Sequence, residues 1–399
     1  MKASKFLRWI TAATALAALS ACGGGGGTAD GNASTSGGSP STTPQQDPVG
    51  QASSTLVAQT GAAAVPGTTA TAQAFDLTAD IGDTWRLVLN QSGSFTLKVL
   101  STQYGLTDIS GTFTAATSGS FTTFTGTSSN GSFSLKLDTR THVLTGAATV
   151  DSKSAGVSGS GYSVPLTTKL AGDYFYLGET HDAGNDANFS IVGGTFRIAT
   201  DGTTMTLCDG GLLDASGSSC TAPAGSSNQT SLMSLQLALN TSDGLTHVQI
   251  NNGTQAAPSW VDFGILSFQA GDRGPVLTID RYGNNQATPP VLRTGAIYAA
   301  KQQVLTGAEL NGSWNCIDRG QAVGTLSISG TSLTATPAGS TANPVETLAY
   351  NNVDGDTPTQ LTPTNGVVAD TTTGVLILPL SSSMFVVERD AQHSVAVCH

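Results

Sequence analysis

Apolar and polar residues alternate along nearly the whole chain beyond residue 72, and a two-residue period admits little except half-buried β-strands. Trp85, Leu87 and Leu89 alternate with polar or smaller neighbours, as do Phe95, Leu97 and Val99 with Thr96 and Lys98 on the other face. Phe133, Leu135 and Leu137 repeat the pattern, then Met233, Leu235, Leu237 and Leu239, then Val248 and Ile250, then Leu326 and Ile328, then Leu333 and Ala335. Each run puts one apolar face inward and one polar face outward, which is the signature of antiparallel sheet. Asn130-Gly131, Asp201-Gly202 and Asn252-Gly253 supply turn chemistry between runs. No stretch holds a convincing helical period. Charged residues are only 11% of the 399, against about 25% in a typical domain, so the polar positions are mostly Ser and Thr, which suit strands and turns better than helices. The expected fold is all-β: antiparallel modules on a tether, closed as barrels or packed as sandwiches.

A weak internal repeat organises these strands. Gly172-Asp173-Tyr174 recurs as Gly312-Ser313-Trp314, and Gly194-Thr195-Phe196-Arg197-Ile198 as Gly324-Thr325-Leu326-Ser327-Ile328. Gly264-Ile265-Leu266 recurs as Gly374-Val375-Leu376, and Ile279-Asp280-Arg281 as Val387-Glu388-Arg389, in the same order. Gly82-Asp83-Thr84-Trp85 opens a more diverged first copy, its aromatic one residue late. Three β modules follow, at residues 73–168, 169–306 and 307–399.

The N-terminus reads as an address. Lys2, Lys5 and Arg8 precede an apolar run from Ile10 to Leu19 that is too short to span a bilayer. Leu19-Ser20-Ala21-Cys22 then resembles the lipobox of bacterial lipoproteins. The resemblance implies removal of residues 1–21 as a signal peptide, diacylglycerol on the Cys22 sulfur and acylation of the new amine. Two or more acyl chains hold a protein firmly where one does not. Gly23 rather than Asp after the cysteine implies export onward to the outer membrane, with the body facing the periplasm or the surface. Residues 22–72, rich in Gly, Ser, Thr and Ala, read as a disordered tether. Removing residues 1–21 takes away three cations and no acid, so the net charge falls from −11 to −14. That charge argues against nucleic acid as a partner.

With Cys22 set aside, Cys208, Cys220, Cys316 and Cys398 remain, an even set that reads as two disulfides in an exported protein. Three pairings are open. Cys208–Cys220 and Cys316–Cys398 are favoured because each pair lies within one module.

Gly-x-Trp on an opening strand with Arg on a closing strand resembles the calycin β-barrels, the lipocalins and avidins. The resemblance implies that Arg389 packs across Trp314 and Arg281 across Tyr174, each pair closing one end of a barrel. A Cys316–Cys398 bridge fits the same picture by stapling the first strand to the last. The departures are a short last module, Tyr in place of Trp in the middle one, and altered spacing in the first.

Chemistry is sparse. Gly156-Val157-Ser158-Gly159-Ser160-Gly161 lacks the frame of a hydrolase nucleophile elbow. His142, His181, His247, His393 and His399 stand at no metal-ligand spacing, and phosphate-loop and dinucleotide signatures are absent. The acidic loops His181–Asn188 and Asn352–Asp356 could offer oxygens to calcium, but the second lacks the turn glycine and the closing Glu, and Asx-rich turns are the ordinary reading of both. No cofactor, metal or catalytic residue is assigned. The expectation is a non-enzymatic, membrane-anchored envelope lipoprotein that binds a small apolar ligand or a partner protein through its modules. The alternatives are a structural or adhesive surface protein and an exported hydrolase with a triad assembled in space. A cavity in the module of Trp314 would favour the ligand, and a packed core there a scaffold.

The lipid anchor has a direct test. The mature chain is expected to begin at Cys22 and carry acyl mass there, and Cys22→Ser to release the protein from membranes. A variant that stays membrane-bound would contradict it.

Overall fold

The computed structural model describes residues 47–399 except 166, 184–186, 228, 255–256, 285–288, 356–359 and 390–391. Cys22 and the lipobox lie outside the described residues, as do parts of both acidic loops.

The strands close into three antiparallel barrels of eight strands each. The first runs from Ala72–Ala79 to Lys153–Ser160, the second from Gly172–Asp182 to Leu292–Lys301, and the third from Gly312–Asp318 to Ser394–Cys398. Each is an up-and-down meander whose last strand returns to its first, through Asp76↔Ser160, Phe175↔Ala300 and Cys316↔Cys398. Closure leaves no sheet edge to protect. In the third barrel the closing ladder is narrow, and the Cys316–Cys398 disulfide lies on it. That bond spans 82 residues, worth about 4–5 kcal/mol in the chain-entropy view. Cys208–Cys220 ties a short hairpin, Leu212–Leu213 with Cys220–Thr221, to the wall of the second barrel.

The repeat is structural as well as textual. Gly172↔Ile198, Tyr174↔Phe196 and Tyr176↔Gly194 in the second barrel match Gly312↔Ile328, Trp314↔Leu326 and Cys316↔Gly324 in the third. Tyr174 donates its hydroxyl to the Leu170 carbonyl at 2.7 Å, and Trp314 its indole N–H to the Leu310 carbonyl at 2.8 Å. In both copies a buried leucine four residues before the aromatic is drawn under the barrel.

The expected Arg–aromatic pairs do not form. Tyr174 stacks on Phe196 and Trp314 meets Phe385 edge-on, with ring centroids 5.0 and 4.8 Å apart. Arg281 instead lies over Phe263, and Arg389 reaches Asp318. Strand register is the reason. Tyr174 pairs with Lys301, whereas Arg281 pairs with Gly295, which pairs with Thr180. Six residues of strand, about 20 Å, therefore separate each Arg level from its aromatic.

Within the stretch 22–72 expected to be a disordered tether, a helix spans Pro48–Thr60. Asp47 caps it by accepting from the Val49 N–H, Pro48 opens it, and Gly61 closes it in the left-handed region. Leu56 and Val57 pack with Leu170 and Val164 against the core of the second barrel, and Ser53 donates to the Ala270 carbonyl. Tertiary burial, not a strong amphipathic period, stabilises it.

The barrels share buried faces of two kinds. Between the first and second, outward hydroxyls and carboxyls pair: Thr78 with Thr278 at 2.8 Å, Thr84 with Asp280 at 2.5 Å, and Gln269 with Ser158 at 3.2 Å. Gly82, at φ +84°, presses so close that a Cβ there would come within 2.8 Å of the Arg281 carbonyl. Between the second and third, the face is apolar, built from Phe175, Leu177, Val276, Leu378, Val386 and Val397 among others.

One buried carboxyl from each barrel meets at their junction: Asp80, Glu179 and Asp318. Asp318 accepts from Arg319 Nε at 3.0 Å, from Ser394 at 2.8 Å and from Arg389. Asp80 accepts the Gly156 N–H at 2.9 Å and Glu179 the Val395 N–H at 2.7 Å, leaving Asp80 Oδ1 and Glu179 Oε1 unpartnered. Burial first, and then the Asp318 charge, push Asp80 up to about 8 and Glu179 well above the carboxylate range, despite the opposing charge of Arg319. Both hold protons in the folded chain where the unfolded chain has released them. Their stabilising, protonated state is complete below about pH 4 and is lost as the pH rises through the folded value. The urea midpoint should therefore fall steadily from pH 5 to pH 9, by up to about 1.4 kcal/mol per pH unit for each extra proton held. Asp80→Asn should flatten that slope, and a variant with the parent's slope would contradict the assignment.

Candidate functional site: the cup of the middle barrel

An eight-stranded barrel is just wide enough for its own side chains or for one small ligand, so the size of the inward residues decides which. The first barrel is filled. Trp85, Leu87, Phe95, Leu97, Phe133 and Leu135 are all buried inside it, and Phe95 and Phe133 meet edge-on at 4.9 Å. Gly126 lies under the Phe133 ring, where a Cβ would come within 2.2 Å of it. The third barrel is nearly filled by Trp314, Phe385, Leu326, Ile328 and Leu348, leaving about 40 Å³ beside Glu346 and Asp370. Room for about one water is all that this volume offers. Burial and the charge of Asp370 raise Glu346 to about 7.

The middle barrel is filled at one end only. Tyr174, Phe196, Ile198, Met205 and Leu237 close the end over Leu170 and the helix. Toward the other end the inward positions shrink or turn polar: Val192 and Ser190 on one strand, Met233 and Ile250 on two others, Thr180 and Gly283 beside them. A cavity of about 850 Å³ results, within the range of small-molecule sites. Tyr176, Leu207 and Ile297 form its floor.

Arg281 projects into this cup. A register shift between Val248 and Gln249 against Gly264 and Asp262 leaves Phe263 as an extra residue, a β-bulge that turns its ring inward. The Arg281 guanidinium lies on that ring, 3.9 Å from its centroid. It has no ion-pair partner among the described residues, and its Nη1 is buried without a hydrogen bond. Burial, and then the Arg293 charge, lower its affinity for the proton to about 10. Other charges on the cup wall are answered. Arg293 bonds Asp182 at 2.9 Å and the Thr180 carbonyl at 2.8 Å. Asp209 accepts the Tyr176 hydroxyl at 3.0 Å, and Asp262 takes His247 Nδ1 at 2.9 Å and Gln249 at 3.0 Å.

The two histidines nearest the cup are held by other partners. His247 has a carboxylate on each ring nitrogen, Asp262 and Asp243, and these raise it against its burial. His181 faces the Tyr104 and Thr294 hydroxyls. None of these contacts is with a serine, and no three His, Cys, Asp or Glu among the described residues are arranged to hold a metal. The chain matches no protein-family model and resembles no curated protein.

Of the residues marked in the sequence, the structure brings together Cys208 with Cys220 and Cys316 with Cys398. Tyr174 and Trp314 are core aromatics at closed barrel ends, Arg389 borders the small cavity of the third barrel, and Arg281 enters the large one of the middle barrel. The bulge was signalled by broken alternation over Val261-Asp262-Phe263-Gly264-Ile265-Leu266. The emptiness of the middle barrel had no such signal.

An unpaired buried cation destabilises the protein that carries it. Arg281→Met keeps a long side chain on Phe263 and removes the charge. The ligand-free variant should unfold at the same or a higher denaturant concentration, by about 1 kcal/mol at most. A loss of several kcal/mol would mean that the guanidinium has a structural role.

Proposed function

We propose that this chain is a lipid-anchored envelope protein, carried on Cys22, whose middle barrel binds a small ligand. The observation that carries the reading is the contrast among three barrels of one architecture. Two are filled by their own side chains, and the one between them keeps about 850 Å³ open beside an apolar wall. The outer barrels then act as supports. The first backs the strand of Arg281 through Gly82 and the Thr84–Asp280 bond, and the third packs on the opposite face through Phe175 and Leu177. Display beyond the cytoplasm accords with the two disulfides and with the lipobox resemblance.

A neutral naphthylamine fluorophore that brightens in apolar surroundings tests the cup. It should bind with one site per chain, and Val192→Trp, which fills the cavity from its wall, should abolish the signal. An equivalent filling of the third barrel, Ala335→Phe, should leave it unchanged wherever that variant folds. Equal binding by the parent and Val192→Trp would place the ligand elsewhere.

A further inference from the structure

We propose that the ligand of the middle barrel is a small anionic amphiphile, its oxyanion held by Arg281 and its apolar part laid along Val192, Leu207, Met233 and Ile250. The inference rests on the cup being a ligand site and goes on to its chemistry.

The argument is one of unanswered charge. The cup wall is close to neutral overall, so no bulk field selects an anion. Selection comes from pairing: Arg293, Asp209 and Asp262 each have a bonded partner, and Arg281 has no hydrogen-bonded or ion-pair partner among the described residues. Its ring face is already covered by Phe263, so the open directions are the in-plane N–H bonds. Those donors suit a carboxylate or a phosphate, whose oxygens lie in the plane of the fork. Nη1 is sealed from solvent beside Gly283, so an incoming oxyanion meets the guanidinium on its cup-facing donors, and the apolar tail gains burial in the same step. Backbone support makes the donor fixed before binding. The Arg281 strand is backed by the first barrel at Gly82, and Gly283 leaves open space where a side chain would crowd Nη1 at 3.0 Å. The carboxylates on the wall, Asp209 and Asp262, would favour a cation instead, but both already accept hydrogen bonds.

The test uses decanoate, decyl phosphate, decanol and decylamine as competitors of the neutral fluorophore, with the full chain and with Arg281→Gln. Decanoate or decyl phosphate should displace it at least about tenfold more tightly than decanol, as expected for a charge-assisted hydrogen bond in a shielded site. The ratio between the two anions identifies the headgroup. In Arg281→Gln the anions should fall to the level of decanol measured on the same variant, and a denaturation midpoint like the parent's shows that the variant is folded. Equal binding of decanol and both anions by the parent, tighter binding of decylamine, or a preference that survives Arg281→Gln would each overturn the anion assignment and leave the cup standing. Failure of the fluorophore and all four competitors to bind would overturn the cup itself.

Discussion

Everything in this molecule follows from how little room a closed eight-stranded sheet encloses. Alternate residues point inward from every strand, and the space they meet in is about two side chains across. Aromatic residues at those positions make a solid peg, and small or polar ones make a cup. The first barrel spends Trp85, Phe95 and Phe133 on filling itself, and the third spends Trp314 and Phe385. In the middle barrel the large residues Tyr174, Phe196 and Met205 gather at the end sealed by Leu170 and the helix. Beyond Tyr176 the wall thins, and Phe263 is placed by a bulge so as to carry Arg281 on its face.

The outer faces follow a second rule. A barrel in water needs only its inward face to be apolar, yet Tyr174-Phe175-Tyr176-Leu177 is buried at every position. Such two-sided burial is expected of strands covered on both faces, and here the second cover is another barrel. The contact between the first and second barrels is made by hydroxyls instead, which accounts for buried Thr78, Thr84, Ser158 and Thr278 on faces that alternation alone would turn to solvent. Buried polar groups of this sort are tolerated only when bonded, and most here are. The exceptions at the junction, Asp80 and Glu179, stay protonated rather than charged.

Much of the architecture was legible beforehand, and the reasons are physical. Period-two alternation in Phe95–Val99 or Met233–Leu239 can be satisfied by little but a strand. The paired Gly-x-aromatic segments share one register because glycines at Gly194 and Gly324 sit opposite Tyr176 and Cys316 in both copies. The helix at Pro48–Thr60 escaped because its face is weakly apolar, although Asp47-Pro48 and Gly61 are ordinary cap signals. The Arg–aromatic pairing failed because sequence order places two residues on neighbouring strands without saying at what height. The cup was illegible for a deeper reason: a cavity is a sum over eight strands, and no single segment records it. Sequence shows only its contents: the resemblance makes Arg281 a closing residue, whereas its guanidinium lies on Phe263 with Nη1 unbonded.

The most direct measurement is a crystal structure of the protein soaked with a bromine-tagged decanoate. The account predicts a single anomalous bromine peak inside the middle barrel, with the carboxylate against Arg281 and the outer barrels empty of ligand. A peak within the first or third barrel, or on the outer surface with the cup unfilled, would contradict it.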